Sequence, residues 1–136
     1  MTLNNLSRTP SRPLRALLVD DDRFTIDLLS DMLNDLGVTD VKTAKNGTEG
    51  YAAFQNALRK PDVVLCDLNM PDTDGFEFME LIAGNQYKGG IIFISGMDNR
   101  VRNSAQLMGR FHQLNVLGTL GKPVDRVLLA EALAKA

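Results

Sequence analysis

Cysteine, histidine and tryptophan are scarce in this sequence: of its 136 residues, one is cysteine, one is histidine and none is tryptophan. The lone Cys66 excludes a disulfide within the chain, and Cys66 with His112 supplies too few ligands for a zinc cluster. A reducing compartment suits such cysteine usage, so we expect a cytoplasmic location. The apolar runs fall far short of the roughly 20 residues that span a bilayer, and no membrane association is predicted.

A strong charge of one sign is also lacking. Fifteen Lys and Arg residues face seventeen Asp and Glu residues, which gives a formal net charge of −2. No positive field is therefore available to hold a phosphate backbone, and nucleic acid is not a predicted partner. The glycine-rich loops that bind nucleotide phosphates are missing as well. The length suits a single domain with one hydrophobic core.

Short apolar runs that alternate with helix-like periodicity organise the chain. Residues 1–13 are polar and contain two prolines, which predicts a loose tail ahead of a domain spanning 14–136. Strands are predicted at 14–19, 41–44, 63–66, 91–95 and 116–120. Helices are predicted to begin near residues 24, 46 and 76, and to cover about 99–113 and 125–135, with Tyr51, Phe54 and Leu58 as the buried stripe of the second. Five β-α units predict an α/β fold whose parallel sheet is covered on both faces.

Polar side chains follow four of the predicted strands at the point where each strand ends. The residues are Asp20, Asp21 and Asp22 after the first strand, Asp67 after the third, Ser95 after the fourth and Lys122 after the fifth. The carboxyl ends of parallel strands meet at one edge of the sheet, so these groups are expected to converge. Taken singly each has an ordinary interpretation, and Asp22 in particular suits a helix N-cap.

Three of these carboxylates would repel one another strongly. If Asp20, Asp21 and Asp67 lie about 5 Å apart, each pair repels by roughly 3 kcal/mol at an effective dielectric constant near 20. Such a cluster requires a held proton or a cation, and Mg²⁺ is the cofactor that carboxylate oxygens suit. Phosphoryl transfer fits this site, with Asp67 as nucleophile because it stands alone on the central strand, and with Ser95 and Lys122 offsetting the charge of the phosphoryl oxygens.

The motifs together closely resemble the receiver domain of two-component response regulators. They are Leu17-Leu18-Val19-Asp20-Asp21-Asp22, then Asp67-Leu68-Asn69-Met70-Pro71 with Asp74-Gly75, then Ser95-Gly96 and Lys122-Pro123. The similarity covers nearly the whole chain after the tail. It implies a doubly wound, flavodoxin-like fold: five helices around a five-stranded parallel sheet in the order 2-1-3-4-5.

The resemblance also implies roles for the acidic residues. Asp67 matches the phosphoacceptor, which takes a phosphoryl group from a phosphohistidine on a sensor histidine kinase or phosphotransfer protein. Asp21, Asp67 and the backbone carbonyl of Asn69 match the Mg²⁺ ligands, and Asp20 matches the residue that acts on the metal through water.

Further roles are implied around the acceptor. Ser95 matches the switch hydroxyl, Gly96 the small residue beside it, and Lys122 the lysine that pairs with the phosphoryl group. The bond between Lys122 and Pro123 is usually cis in this family. A homodimer through the last helices and an output domain in the same full-length protein are further expectations.

Two departures bear on signalling. Thr119 stands where the family often places an aromatic switch residue, and the segment between Ser95 and Lys122 is longer than a compact receiver needs. Similar receivers precede EAL-type cyclic di-GMP phosphodiesterase domains; the resemblance lies in Ser95-Gly96-Met97-Asp98, Ser104-Ala105 and Val116-Leu117-Gly118. An output domain of the EAL type is therefore a second expectation.

Two other functions compete with the phosphorylated switch. One is a phosphorylation-independent interaction module, a pseudo-receiver, which Thr119 keeps open. The other is a small phosphatase with an aspartyl-phosphate intermediate. Enzymes of the haloacid dehalogenase type need a second Asp two residues after the nucleophile, and Asn69 occupies that position here.

Overall fold

The computed structural model describes residues 14–68, 75–96, 103, 108–110 and 112–136. The predicted tail at 1–13 and the predicted ligand Asn69 lie outside these described residues. The five strands are β1 (Arg15–Val19), β2 (Asp40–Ala44), β3 (Val63–Asp67), β4 (Gly90–Ser95) and β5 (Asn115–Gly121). The helices with described bounds are α1 (Arg23–Asp35), α2 (Gly47–Asn56), α3 (Gly75–Gly84) and the C-terminal α4 (Arg126–Leu133).

The predicted fold is confirmed. All five strands pair in parallel, in the order β2-β1-β3-β4-β5. Between β4 and β5 the described residues Asn103 and 108–110 are helical, and they fall within the helix predicted at about 99–113, the fourth of the five. Helices within the described residues are too short or too polar to cross a bilayer.

The sheet separates two apolar layers because alternate strand residues face opposite sides. In β1, Leu18 belongs to the layer that packs under α1 and α4, whereas Leu17 and Val19 belong to the layer under α2 and α3. Every residue of the central strand β3 is buried. Cys66 packs in the second layer, as its position next to Asp67 predicts.

Side-chain caps fix where the helices begin. Asp22 caps α1, accepting a hydrogen bond from the backbone N of Phe24 at 3.2 Å. Asn46 caps α2 by accepting from the N of Glu49 at 2.8 Å, and the Glu49 carboxylate accepts from the N of Lys45. These bonds satisfy backbone donors that the first helical turn leaves unpaired. After α1, Gly37 has φ of 91°, as predicted for a helix C-terminus.

The expectation for Leu58 is wrong. Helix α2 ends at Asn56, and Ala57 has an extended backbone with ψ of 127°. Leu58 therefore lies beyond the helix and its side chain is fully exposed, at 103% of the reference area. Phe54, two residues before the helix ends, is buried as predicted. Helical spacing alone does not reveal where the helix stops.

Candidate functional site

The three predicted carboxylates meet at the carboxyl edge of the sheet. Asp20 directly follows β1 and Asp67 is the last residue of β3, and these two strands are neighbours. One carboxylate oxygen from each of Asp20, Asp21 and Asp67 lies within 4.8 Å of the other two. Asp20 and Asp67 are buried while Asp21 is exposed, so the cluster opens to solvent on the Asp21 side. We call these three residues the acidic pocket.

Asp20 is a fully buried carboxyl group. Burial raises its pKa to about 6; the backbone N–H of Asp22 partly opposes this, the charge of Asp67 adds to it, and Lys122 opposes it. The N–H donates to Oδ1 of Asp20 at 2.8 Å. Oδ2 accepts no hydrogen bond within the described part of the chain, and the Lys122 ammonium lies 3.4 Å from it. The site therefore holds one carboxylate oxygen ready for a further cationic partner.

Lys122 reaches the pocket from the end of β5. Its Nζ donates to Oδ2 of Asp67 at 3.2 Å and lies 3.4 Å from Oδ2 of Asp20. Partial burial lowers the pKa of Lys122, but the negative charges of Asp67 and Asp20 outweigh that effect and raise it. The peptide bond to Pro123 is cis, as predicted. One ammonium is thus shared between two carboxylates and cannot neutralise the whole pocket.

Asp22 belongs to the helix rather than to the pocket. Besides capping α1, it accepts a hydrogen bond from the Thr25 hydroxyl at 2.7 Å, which lowers the pKa of Asp22. The ordinary interpretation of this residue as an N-cap is confirmed. Asp21 is left as the exposed carboxylate of the pocket.

Ser95 and Thr119 lie on the neighbouring strands β4 and β5. Ser95 ends β4 and is fully buried, and the backbone N of Lys122 donates to its carbonyl oxygen at 3.1 Å. Thr119 pairs in register with Phe93, two residues before Ser95, and is partly buried. Ser95 therefore ends the strand next to β3, whereas Thr119 lies on the edge strand beyond it.

Two features of the site escaped sequence reasoning. The bond from the Asp22 N–H to Asp20 forms a turn typical of aspartate, and the run of three aspartates was its signal. Gly75, the first residue of α3, packs on the backbone of Leu68, where a β-carbon would lie 3.0 Å from Cα. In the sequence, the Asp74-Gly75 pair indicates a motif but not this close packing.

The donor set fits a hard divalent cation. Asp20, Asp21 and Asp67 each offer a carboxylate oxygen within 4.8 Å of the other two, and Oδ2 of Asp20 lacks a hydrogen-bond donor among the described residues. Mg²⁺ prefers such oxygen ligands and retains several waters, which the exposed position of Asp21 allows. The carbonyl of Asn69 belongs to the undescribed part of the site.

Comparison with known proteins identifies the family. The family model described as the response regulator receiver domain matches residues 16–134. The structure of the chemotaxis protein CheY4 of Vibrio cholerae is similar, with a TM-score of 0.76 at 28% identity, covering 91% of this chain and 98% of that one. A response regulator from Colwellia psychrerythraea gives a TM-score of 0.75 at 30% identity, with 91% and 98% of the two chains covered.

Curated relatives are longer than this chain. An uncharacterised response regulatory protein of Vibrio cholerae is 32% identical over 123 residues, which are 90% of this chain and 48% of that protein. A protein-glutamate methylesterase/protein-glutamine glutaminase of Natronomonas pharaonis is 47% identical over 64 residues, 47% of this chain and 18% of that protein. The chain spans less than half the length of these relatives. With a family match across almost all of its described sheet and helices, the chain belongs to the response regulator receiver domains, the phosphorelay modules of two-component signalling.

Proposed function

We propose that the chain accepts a phosphoryl group on Asp67 from a phosphohistidine, with Mg²⁺ held by Asp21, Asp67 and the carbonyl of Asn69, and with Asp20 acting on the metal through water. The observation that carries this proposal is the position of Lys122, whose Nζ lies 3.2 Å from Oδ2 of Asp67. A cation beside the nucleophile is placed to meet the negative charge that arrives with a phosphoryl group.

The transfer itself is an in-line displacement. A carboxylate oxygen of Asp67 forms the new bond to phosphorus, the phosphorus–nitrogen bond of phosphohistidine breaks, and its electron pair returns to the imidazole of the donor. When bound, Mg²⁺ offsets charge on the phosphoryl oxygens. Lys122, whose ammonium lies 3.2 Å from Oδ2 of Asp67, would offset part of the same charge, and the carboxylate of Asp20 would add negative charge that favours the cation. Positioning and electrostatics supply most of the catalysis.

The phosphorylated form acts as a switch. The Ser95 hydroxyl at the end of β4 donates to a phosphoryl oxygen, and Lys122 exchanges a carboxylate partner for the more highly charged acyl phosphate. Both changes favour one of two conformations of the neighbouring surface. Its partners are a cytoplasmic sensor histidine kinase or phosphotransfer protein and an output domain, for which an EAL-type phosphodiesterase is the candidate from sequence.

Acetyl phosphate with Mg²⁺ tests the acceptor. Intact mass is expected to show one added phosphoryl group on the wild type and none on Asp67→Asn. Asp62→Asn is the matched control, since Asp62 lies at the opposite end of β3, and it is expected to be phosphorylated normally. No added mass on the wild type, or equal labelling of Asp67→Asn, contradicts the proposal.

Thr119 favours one competing function, a pseudo-receiver that signals without phosphorylation. Beryllofluoride with Mg²⁺ distinguishes the two. The switch predicts altered amide exchange around Ser95 and β5, whereas the pseudo-receiver predicts exchange that beryllofluoride does not change. Multiple turnover of a small phosphate ester would instead support the phosphatase, although the Asn69 amide cannot act as the general acid that such an enzyme needs.

A further inference from the structure

A groove lies on the α2 side of the sheet at the amino ends of β1 and β2. We call it the β2 groove; it encloses about 370 Å³. Its floor is apolar, since Leu17 of β1 and Phe54 of α2 both line it and both belong to the apolar layer under α2. The groove lies beyond the end of α2 at Asn56, where residues 57–59 and Pro61 line it together with the first residues of β1 and β2.

The rim of the β2 groove carries excess positive charge. Arg15, Lys42 and Arg59 line it, against the single acidic residue Asp40. Arg15 already pairs with Asp40, with 3.6 Å between Nε and Oδ2. Across the described ranges no acidic side chain forms an ion pair with Lys42 or Arg59, and both are exposed. Two unbalanced cations therefore flank an apolar floor.

Leu58 adds an apolar contact at the same rim. Its side chain is fully exposed and lines the groove beside Arg59. Burial of this side chain against a partner would remove apolar surface from water and so favour binding. A single exposed leucine is ordinary on a protein surface, but this one borders a groove with an apolar floor and an excess of cations. The combination favours a ligand that is both acidic and apolar.

We propose that the β2 groove is a docking surface for an extended acidic segment of a partner protein that carries one aliphatic or aromatic side chain. The apolar side chain packs on Leu58 and the floor, and flanking carboxylates pair with Lys42 and Arg59. The chain's own residues 1–13 do not match this chemistry, because they contain Arg8 and Arg12 and no acidic residue.

The groove and the acidic pocket lie at opposite ends of β1. Arg15 begins the strand and Asp20 follows its end, a separation of roughly 16 Å at about 3.3 Å per residue. A partner seated in the groove leaves the acidic pocket open to a phosphoryl donor. Docking here is therefore independent of the proposed phosphorylation.

Fluorescence anisotropy with the full chain tests the surface. The probe is a fluorescein-labelled peptide of sequence Glu-Asp-Glu-Leu-Asp-Glu, with a second peptide that has Ser in place of Leu. At low salt, Lys42→Glu and Arg59→Glu are each expected to weaken binding of the first peptide at least tenfold, and Leu58→Ser at least threefold. Lys88→Glu is the matched control, an equal charge reversal at an exposed residue outside the groove, and is expected to change the affinity less than twofold.

Backbone amide shifts map the same complex and are expected to change at Leu17, Lys42 and Leu58. Equal weakening by Lys88→Glu, or equal affinity for the Ser peptide, would show nonspecific charge attraction and overturn the proposal. Shifts at these residues on concentrating the protein without peptide, together with a rise in mass on size-exclusion chromatography, would assign the groove to a second copy and also overturn it. The absence of peptide binding at millimolar concentration would do the same.

Discussion

A β-carbon on Gly75 would lie 2.7 Å from the backbone oxygen of Asp67. The amino end of α3 can approach the end of β3 this closely only because residue 75 lacks a side chain. The first residue of α3 therefore packs directly against the backbone of the proposed acceptor.

Gly75→Ala is expected to slow phosphorylation by acetyl phosphate about tenfold, because small displacements of a reacting group reduce rates steeply. It is also expected to lower the free energy of unfolding by about 1–3 kcal/mol, as overpacking does. Mass spectrometry over time and urea unfolding measure the two effects. Gly84→Ala is the control in the same helix, since nothing lies within 4 Å of a β-carbon there. Equal phosphorylation rates in both variants would contradict the argument.

Lys122→Ala is expected to retain or tighten Mg²⁺ binding while weakening the response to beryllofluoride. Removal of an ammonium 3.2 Å from Asp67 and 3.4 Å from Asp20 makes the pocket more negative, which favours a cation. Isothermal titration calorimetry measures the affinity, with Lys135→Ala as control. Weaker Mg²⁺ binding in Lys122→Ala alone would show that the lysine organises the carboxylates rather than opposing the metal.

Asp21→Ala is expected to lower Mg²⁺ affinity at least tenfold, because Asp21 is the exposed carboxylate of the acidic pocket. The measurement is a Mg²⁺ titration followed by amide shifts. Asp31→Ala removes an exposed carboxylate from α1 outside the pocket and should leave the midpoint unchanged. The same midpoint for Asp21→Ala and wild type would remove Asp21 from the ligand set.

We expect Asp20 to make the stability of the metal-free protein depend on pH. Its pKa is raised from 3.8 to about 6 in the folded state, so the folded form holds the proton more tightly than the unfolded form. The stability this contributes is full below pH 3.8 and is lost as the pH rises through 6, by up to about 3 kcal/mol. The difference in free energy of unfolding between Asp20→Asn and the wild type should therefore shift in favour of the variant as the pH rises from 4 to 7. Urea unfolding without Mg²⁺ measures the difference, and a constant difference would contradict the raised pKa.

Leu58 and Phe54 test the observed end of α2. Leu58→Ala is expected to change the free energy of unfolding by less than about 0.5 kcal/mol, as exposed substitutions do, whereas Phe54→Ala should lower it by about 3–5 kcal/mol. Urea denaturation of both variants is the measurement. A large loss in Leu58→Ala would mean that the helix continues past Asn56.

The three inner strands of the sheet, β1, β3 and β4, were predictable because they are short apolar runs buried on both faces. The predicted strand 63–66 and the observed β3, Val63–Asp67, differ by one residue, and 91–95 differs from β4 by one residue as well. The end of α2 was not predictable, because Leu58 continues the helical spacing although the backbone at Ala57 is already extended. Helical spacing in a sequence indicates which residues would share one face of a helix. It does not indicate the residue at which the backbone hydrogen bonds of the helix end.

The acidic pocket was predictable for a topological reason. Asp20, Asp21 and Asp67 follow strands that end at one edge, so parallel pairing alone brings them together. The position of Lys122 beside Asp20 and Asp67 was predictable on the same ground. The close approach of Gly75 to the backbone of Asp67 was not, because it depends on how α3 packs against the end of β3. The roles of Asn69, Ser95 and Thr119 remain predictions from the family resemblance.

The complete burial of β3 has a dynamic consequence. Amide protons in a buried strand with a neighbour on each side exchange with solvent only when much of the domain opens, so the residue proposed to receive phosphorus lies at the end of a strand that is expected to open rarely. We therefore expect rearrangement after phosphorylation to occur in the elements around β3. Deuterium uptake at Leu65 and Cys66 should be slow in both the phosphorylated and the unphosphorylated state.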